Sequence, residues 1–200
     1  MKQIILSLPA LTCLVLSPMT VPTAVEAAAA LDDAEAATLQ FMREEEKLAR
    51  DVYRTLYAAW GKPIFANISE SEQVHTDKIA SLIEKYRIHD PVQDDATGVF
   101  VNDELRELYH DLVEKGAVSL VEALKAGAFI EEADMHDLHE AIEENDNPDI
   151  DRVYENLLRG SRNHLRAFVD VIESLGVVYE AQLLTPEEVN AIVDSDMERG

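Results

Sequence analysis

Four segments of this 200-residue chain repeat apolar residues in steps of three and four, and a side chain of metal-ligand type interrupts each stripe near its middle. The first stripe is Leu39, Met42, Glu46, Ala49, Tyr53 and Leu56; the second is Ile68, Glu72, His75, Ile79, Leu82 and Tyr86. Two later stripes run Leu124, Ala128, Glu131, Met135, Leu138, Ile142 and Val153, Leu157, Ser161, His164, Phe168, Val171, Leu175. Such spacing puts each set on one face of an α-helix, the face buried when helices pack. A lone carboxylate there is strongly disfavoured, whereas several converging on a cation are stabilised together. The pattern therefore points to an all-α bundle whose interior holds either an ion or a satisfied polar network.

Almost nothing in the chain alternates with the period of a β-strand. Helices are expected over about 33–60, stopped by Gly61; over 63–86, opened by Pro63; over 103–115, closed by Gly116; over 119–144; and from the Asn145–Asp149 turn to Leu175, stopped by Gly176. A last short helix over 186–198 begins at Thr185-Pro186-Glu187-Glu188. The first two long helices make one hairpin and the last two another. About thirty residues, including the short 103–115 helix, join the hairpins, enough for a crossover along the bundle. The expected organisation is one helical domain over 28–200, with its core at about 33–175 and a helical tail at 185–198.

Residues 1–27 read as a secretory signal peptide: Lys2, an apolar run from Ile4 to Leu16, Pro18, Pro22 and small residues, with cleavage near Ala27. The expectation is export, with the periplasm favoured over secretion and no membrane insertion after cleavage. Cys13, the sole cysteine, leaves with that segment, so disulfide, thiolate and zinc-thiolate chemistry are not expected. Forty acidic against seventeen basic residues give a net charge of −23, a surface that repels nucleic acid and anionic lipid.

Glu72 and His75 stand at i and i+3, so both leave one helical face and can reach one ion. Glutamate can bridge two ions, and neutral imidazole suits iron, manganese or zinc. The competing reading makes Glu72 the end of a capping box begun by Ser69, but Pro63 sets the helix start earlier. Glu46 belongs to the run Glu44-Glu45-Glu46-Lys47, where an ordinary solvated face is the alternative and Glu45 is a near neighbour around the helix. Glu131 and Asp134 repeat the i, i+3 geometry, and His164 replaces an apolar residue between Leu157 and Phe168. Tyr53 and Tyr154 either hydrogen-bond ligand carboxylates from behind or serve as core aromatics. His136, His139, Glu132 and Glu143 form a separate polar face, read as solvated, with an external zinc or copper site as the alternative. The Asp-rich turns at 94–95 and 145–151 lack the calcium-loop spacing and read as caps.

The run Glu46-Lys-Leu-Ala-Arg-Asp-Val-Tyr53, followed by Ile64-Phe65-Ala-Asn-Ile-Ser-Glu-Ser-Glu72-Gln-Val-His75, resembles the first helix pair of the ferritin-like superfamily, closest to rubrerythrin-type proteins. Glu131-Glu-Ala-Asp134 resembles the acid pair on that group's third helix. With Gly127-Ala-Phe-Ile-Glu131 and Gly160-Ser-Arg-Asn-His-Leu-Arg-Ala-Phe168, the chain is most similar to a bacterial and archaeal ferritin-like family known only as a domain of unknown function, DUF2202. The resemblance implies a ferritin-like four-helix bundle in which Glu46, Glu72 and His75 serve one ion and Glu131 and His164 a second, with Glu72 and Glu131 as candidate bridges. It departs on the fourth helix, where Ser161 stands in place of a glutamate three residues before His164; Asp134 is the candidate replacement.

Two functions are carried forward. In the first, iron or manganese between the helices reacts with dioxygen or peroxide, as in a ferroxidase or peroxidase, with a homodimer allowed and an external electron donor unspecified. In the second, a non-enzymatic module holds a structural ion such as zinc, a single metal or a polar network, and acts in metal binding or protein interaction.

Overall fold

A computed structural model describes residues 31–199; the expected signal peptide, its cleavage site and Cys13 lie outside them. The described chain is all-helical, in the order α1 (Asp33–Trp60), α2 (Pro63–Tyr86), α3 (Asp103–Val118), α4 (Leu120–Glu144), α5 (Pro148–Ser174) and α6 (Pro186–Val193). No strand occurs among the described residues, and no described helix is long and apolar enough to cross a membrane.

Local chemistry sets the boundaries. Asp32 accepts from the backbone N–H groups of Ala34 and Glu35 while Glu35 reaches back to Asp32, closing a capping box at the start of α1. Gly61, at φ +61°, takes the left-handed turn that ends it. Pro63 opens α2 and Pro148 opens α5, each where a helix has no use for the missing N–H. Ser119 alone separates α3 from α4 and caps the latter through Glu122.

Helix α1 packs along α2 and α4 along α5; the hairpins meet through α1 with α4 and α2 with α5. The core between them includes Met42, Tyr53, Phe65, Ile79, Leu124, Leu138, Leu157 and Phe168, all essentially buried. Phe168 lies 5.4 Å from the Tyr53 ring and 5.9 Å from Phe65, joining α1, α2 and α5. Each such side chain stabilises the fold by about 1.5–3 kcal/mol on burial.

The connection between hairpins is not a bare crossover. Helix α3 packs on both α1 and α4, and it runs through Gly116 to Val118 instead of stopping there. A Cβ at Gly116 would stand 2.6 Å from a Leu56 methyl, so this glycine is an approach point between α3 and α1 and not a helix stop. Helix α6 ends at Val193, short of the expected 198. Beyond it the chain turns onto α5, where Glu198 pairs with Arg162 at 2.6 Å and with Arg166 at 3.0 Å, and Ser195 accepts from Arg166. These charge-assisted contacts with α5 replace the last helical turn.

The charged run on α1 is buried too. Arg43, Glu44, Lys47, Arg50 and Asp51 lie under the 90–102 segment: Glu44 accepts from the N–H groups of Val101 (2.5 Å) and Asn102 (3.0 Å), and Lys47 donates to the Ala96 carbonyl. From Met42 to Tyr53 every residue of α1 is buried, core on one side and crossover on the other. This double cover fixes the rotation of α1, and with it the direction of Glu46.

Candidate metal centre

Glu46 on α1, Glu72 and His75 on α2, Glu131 on α4 and His164 on α5 converge in the bundle interior. Two three-residue groups have ligand atoms within 4.8 Å of one another: Glu46, Glu72 and His75, and Glu72, Glu131 and His164. Glu72 belongs to both. One of its oxygens lies 2.7 Å from His75 Nδ1 and the other 2.8 Å from His164 Nδ1. Glu46 is 3.3 Å from His75 Nδ1, Glu131 is 3.3 Å from His164 Nδ1, and the two imidazole rings are 5.7 Å apart. The centre is thus nearly symmetric, one carboxylate and one imidazole on each side of a shared glutamate.

The donor atoms stand close without bonding to each other. His75 Nδ1, His164 Nδ1, Glu46 Oε1 and Glu72 Oε1 are buried and have no hydrogen-bond partner of acceptable angle. Orphaned buried polar atoms are costly, and atoms that approach to 2.7–2.8 Å outside hydrogen-bond geometry suit lone pairs aimed at a common third point. The remaining groups are held from behind. Ser71 Oγ is 3.0 Å from His164 Nε2; with the serine accepting, Nε2 carries the proton and Nδ1 is left free to ligate. Tyr53, for which the sequence left two roles open, donates to Glu131 at 2.5 Å. Ser161 donates to one oxygen of Asp134, so the residue standing where a ligand glutamate was missing steadies the candidate replacement. The other Asp134 oxygen is buried without a partner. Asp134 lies outside both groups of converging ligands, although it is close enough to Glu46 to raise its pKa.

Electrostatics follow from crowding acids and imidazoles out of water. Burial alone would raise the Glu72 carboxyl, but His75 and His164 beside it hold it well below the ordinary carboxylate range. Burial would lower both histidines; instead Glu72 with Glu46 lifts His75 well above its usual value, and Glu72 with Glu131 pushes His164 up to about 10. Burial raises Glu46, with Asp134 adding to it, and burial raises Glu131 and takes Asp134 to about 7. The centre therefore stores protons that a cation taking the same lone pairs would have to displace.

Some expectations are corrected. The Tyr154 hydroxyl has no hydrogen-bond partner and lines a small pocket with Glu35, Thr38 and Asn145, so it supports no ligand carboxylate. Glu132 does not belong to a solvated face with His136 and His139: it is fully buried and accepts from Tyr179 and from the N–H groups of Gln182, Leu183 and Leu184, tying the chain before α6 to α4. Asn147 does not cap α5 with its side chain but donates to Glu35 of α1. Sequence reasoning also missed Ser71, which no spacing rule singles out, and Glu45, which is buried beside Asp134 and Asp137.

Gly160 has a similar hidden role. A Cβ there would come within 2.7 Å of His75 Nε2 and 2.6 Å of Cε1. Gly160→Ala should favour helix formation by up to about 1 kcal/mol yet displace His75. The expected outcome is a protein of equal or higher thermal stability without metal but at least tenfold (~1.4 kcal/mol) weaker in ferrous-ion affinity, read by calorimetric titration under anaerobic conditions; unchanged affinity would mean that His75 has room to move.

The architecture and these side chains define a class, an all-helical bundle with two carboxylate–histidine clusters between its helices. Within that class the chain belongs to the family described as an uncharacterized protein domain, DUF2202, whose model matches residues 35–196. Over 159 residues, 80% of this chain and 86% of the relative, it is 55% identical to the uncharacterized protein MJ0754 of Methanocaldococcus jannaschii. A crystal structure of hypothetical protein MJ0754 from Methanococcus jannaschii DSM 2661 matches with a TM-score of 0.83 at 52% identity, covering 84% of this chain and 96% of that one.

Proposed function

We propose that this is an exported, ferritin-like protein of rubrerythrin type that holds a pair of iron or manganese ions across Glu72 and reacts with dioxygen or hydrogen peroxide. The observation that carries this reading is that Glu72 turns one oxygen to each of two imidazole nitrogens, each flanked by a further carboxylate, with none of these contacts forming a proper hydrogen bond. Bound ferrous or manganous ions would supply electrons and open coordination positions for the oxidant. The chain's own part is positional. Three donors on each side leave room for an incoming molecule, and Glu46, Glu72 and Glu131 carry the negative charge that favours the oxidised metal. Tyr53 and Ser71 fix Glu131 and His164, so little reorganisation is needed as charge changes.

The test is metal content per chain after anaerobic loading with ferrous ion, followed by admission of air. Two ions per chain and a new near-ultraviolet absorption are expected; no stoichiometric binding of ferrous or manganous ion would overturn the proposal. A second reading has one specific observation in its favour, Ser161 in place of a fourth-helix glutamate. It makes the protein a helical module with one structural ion, and it expects one ion per chain and no absorption change in air.

Stability should report the same site with opposite slopes. The raised carboxylates Glu46, Glu131 and Asp134 keep protons in the folded chain that the unfolded chain releases above about pH 4. The contribution of the raised His75 and His164 is complete below about pH 6.5 and fades as pH rises toward their folded values. Glu72 works in the other direction, but its transition lies at more acid pH. From pH 5 to 8 the metal-free protein should therefore lose thermal stability, whereas the metal-loaded protein gains it because fewer protons compete with the ion. Parallel slopes in the two forms, measured by circular dichroism melts, would argue against a metal at these residues.

A further inference from the structure

The two imidazoles of the centre differ in what stands behind them. His164 Nε2 has Ser71 Oγ at 3.0 Å, whereas no group among the described residues hydrogen-bonds to His75 Nε2. His75 is only 9% exposed; its Nδ1 faces Glu72 and Glu46, and the opposite Cε1–Nε2 edge lies against Gly160 of α5. A ligating histidine almost always donates its second N–H to a carboxylate, a carbonyl or a water, and here the described chain supplies no acceptor.

His75 also lines a pocket of about 510 Å³ between α2 and α5, the size of a small-molecule site. Leu157 is its other buried member, and Val74 and Val153 add an apolar wall. Lys78, Arg152 and Arg159 complete the lining, and among the described residues no acid joins them, in a chain with forty acidic residues against seventeen basic. Other surface cations, such as Lys85, Arg106 and Arg162, are paired with carboxylates. None of these three forms an ion pair with a described residue. Arg159 donates to the Asn156 amide oxygen at 2.5 Å, which leaves its charge unneutralised. Like charges gathered without a counter-ion repel one another, and a cleft of one sign draws in an ion of the other.

We propose that this pocket binds a small organic carboxylate with an apolar body, one oxygen accepting the Nε2–H of His75 while Arg152, Arg159 and Lys78 hold its charge. Val74, Val153 and Leu157 favour such a body over a bare inorganic ion, and the two guanidinium groups offer the paired donors that suit a carboxylate. The bound anion does for His75 what Ser71 does for His164: it fixes the tautomer and leaves Nδ1 free to face the centre. The Nε2 proton rests on the metal-binding reading, in which Nδ1 ligates; the pocket and its unpaired cations do not.

The test is calorimetric titration of the metal-free full-length protein with benzoate, with benzamide and inorganic phosphate as comparison titrants. One benzoate per chain is expected. The double variant Arg152→Gln, Arg159→Gln, changed at positions that reach solvent, should bind it at least about tenfold more weakly, as should benzamide in the wild type. Lys62→Gln, whose cation lies about 18 Å away along α2, should bind benzoate like the wild type. In the zinc-loaded protein, benzoate should shift the NMR signal of His75 Nε2–H and leave that of His164, which Ser71 already holds. Absence of saturable benzoate binding, or equal affinity in the double variant, overturns the site. Benzamide binding as tightly as benzoate overturns it as an anion site, and binding of phosphate without benzoate overturns the organic ligand. An unmoved His75 signal overturns the link to that imidazole. A protein that binds benzoate as expected but takes up no zinc defeats the metal-binding reading and leaves the pocket standing.

Discussion

Glutamine in place of Glu72 is expected to cost the protein both of the proposed ions, whereas alanine in place of either histidine should cost one. The asymmetry follows from geometry. Each imidazole serves one group of ligands, but Glu72 serves both, 2.7 Å from His75 and 2.8 Å from His164. The amide keeps the size of the side chain and removes its charge, leaving each prospective ion one carboxylate and one imidazole. Changes to residues that merely support a ligand already weaken metal affinity about 10–100-fold, so loss of a shared ligand should exceed about a hundredfold at each position. Ferrous ion retained after anaerobic gel filtration is the measurement. Retention of two ions by Glu72→Gln would remove Glu72 from the bridge, and retention of none by His164→Ala would mean that the two positions fill only together. The fold should survive all three changes. Glu72 is the hub of the charge network, but its partners are histidines that can shed their protons when it is neutralised.

The residues that converge in the interior were legible in the sequence because a charged residue in an apolar helical stripe breaks a strong rule. Glu46, Glu72, His75, Glu131 and His164 each break it once, and the structure brings all five together. Helix ends were legible where a single residue's backbone preference decides them, as at Gly61 and Pro63. They were misread where tertiary contact decides instead. Gly116 has the residue type of a stop signal, but the nearness of Leu56 explains it, and the tail beyond Val193 leaves its helix to reach Arg162 and Arg166.

Burial of polar residues was legible only on the side that faces the apolar stripe. Periodicity describes one buried face, and α1 has two, because the 90–102 segment covers the other. Glu44 and Lys47 therefore fitted the solvated face held open as the alternative, and nothing singled out Arg50 or Asp51. Glu132 was misread for the same reason, its acceptors being used by the N–H groups of a distant loop. What partners such residues comes from connections of no fixed period, so nothing local in sequence announces it.

Asp51→Ala should be the most destabilising single change outside the centre, by about 3–5 kcal/mol, the range for removing one partner of a buried ion pair. The Asp51 carboxylate is wholly buried and receives Lys47 at 2.5 Å, two Arg50 nitrogens at 2.9 and 3.0 Å, and the Gly98 N–H at 3.1 Å. Its loss would leave two buried cations facing each other across the vacated site. Lys47 would keep the Ala96 carbonyl and the face of Phe100, 4.4 Å away, and Arg50 would keep Asp95 and Gln73. None of these replaces the carboxylate that lay between them. A loss of this size is a large part of the roughly 5–15 kcal/mol that holds a typical domain together. Urea unfolding followed by far-ultraviolet circular dichroism checks it, and a loss below about 1 kcal/mol, the scale of an exposed pair, would mean that water reaches the network. Replacing Lys47, Arg50 and Asp51 together by Met, Met and Leu separates the cost of stranded charge from the worth of the contacts, since apolar residues of similar volume often substitute for a buried ion network at little cost. If that triple variant is nearly as stable as the wild type but binds metal poorly, the network's contribution is to hold α1 in the rotation that turns Glu46 toward His75.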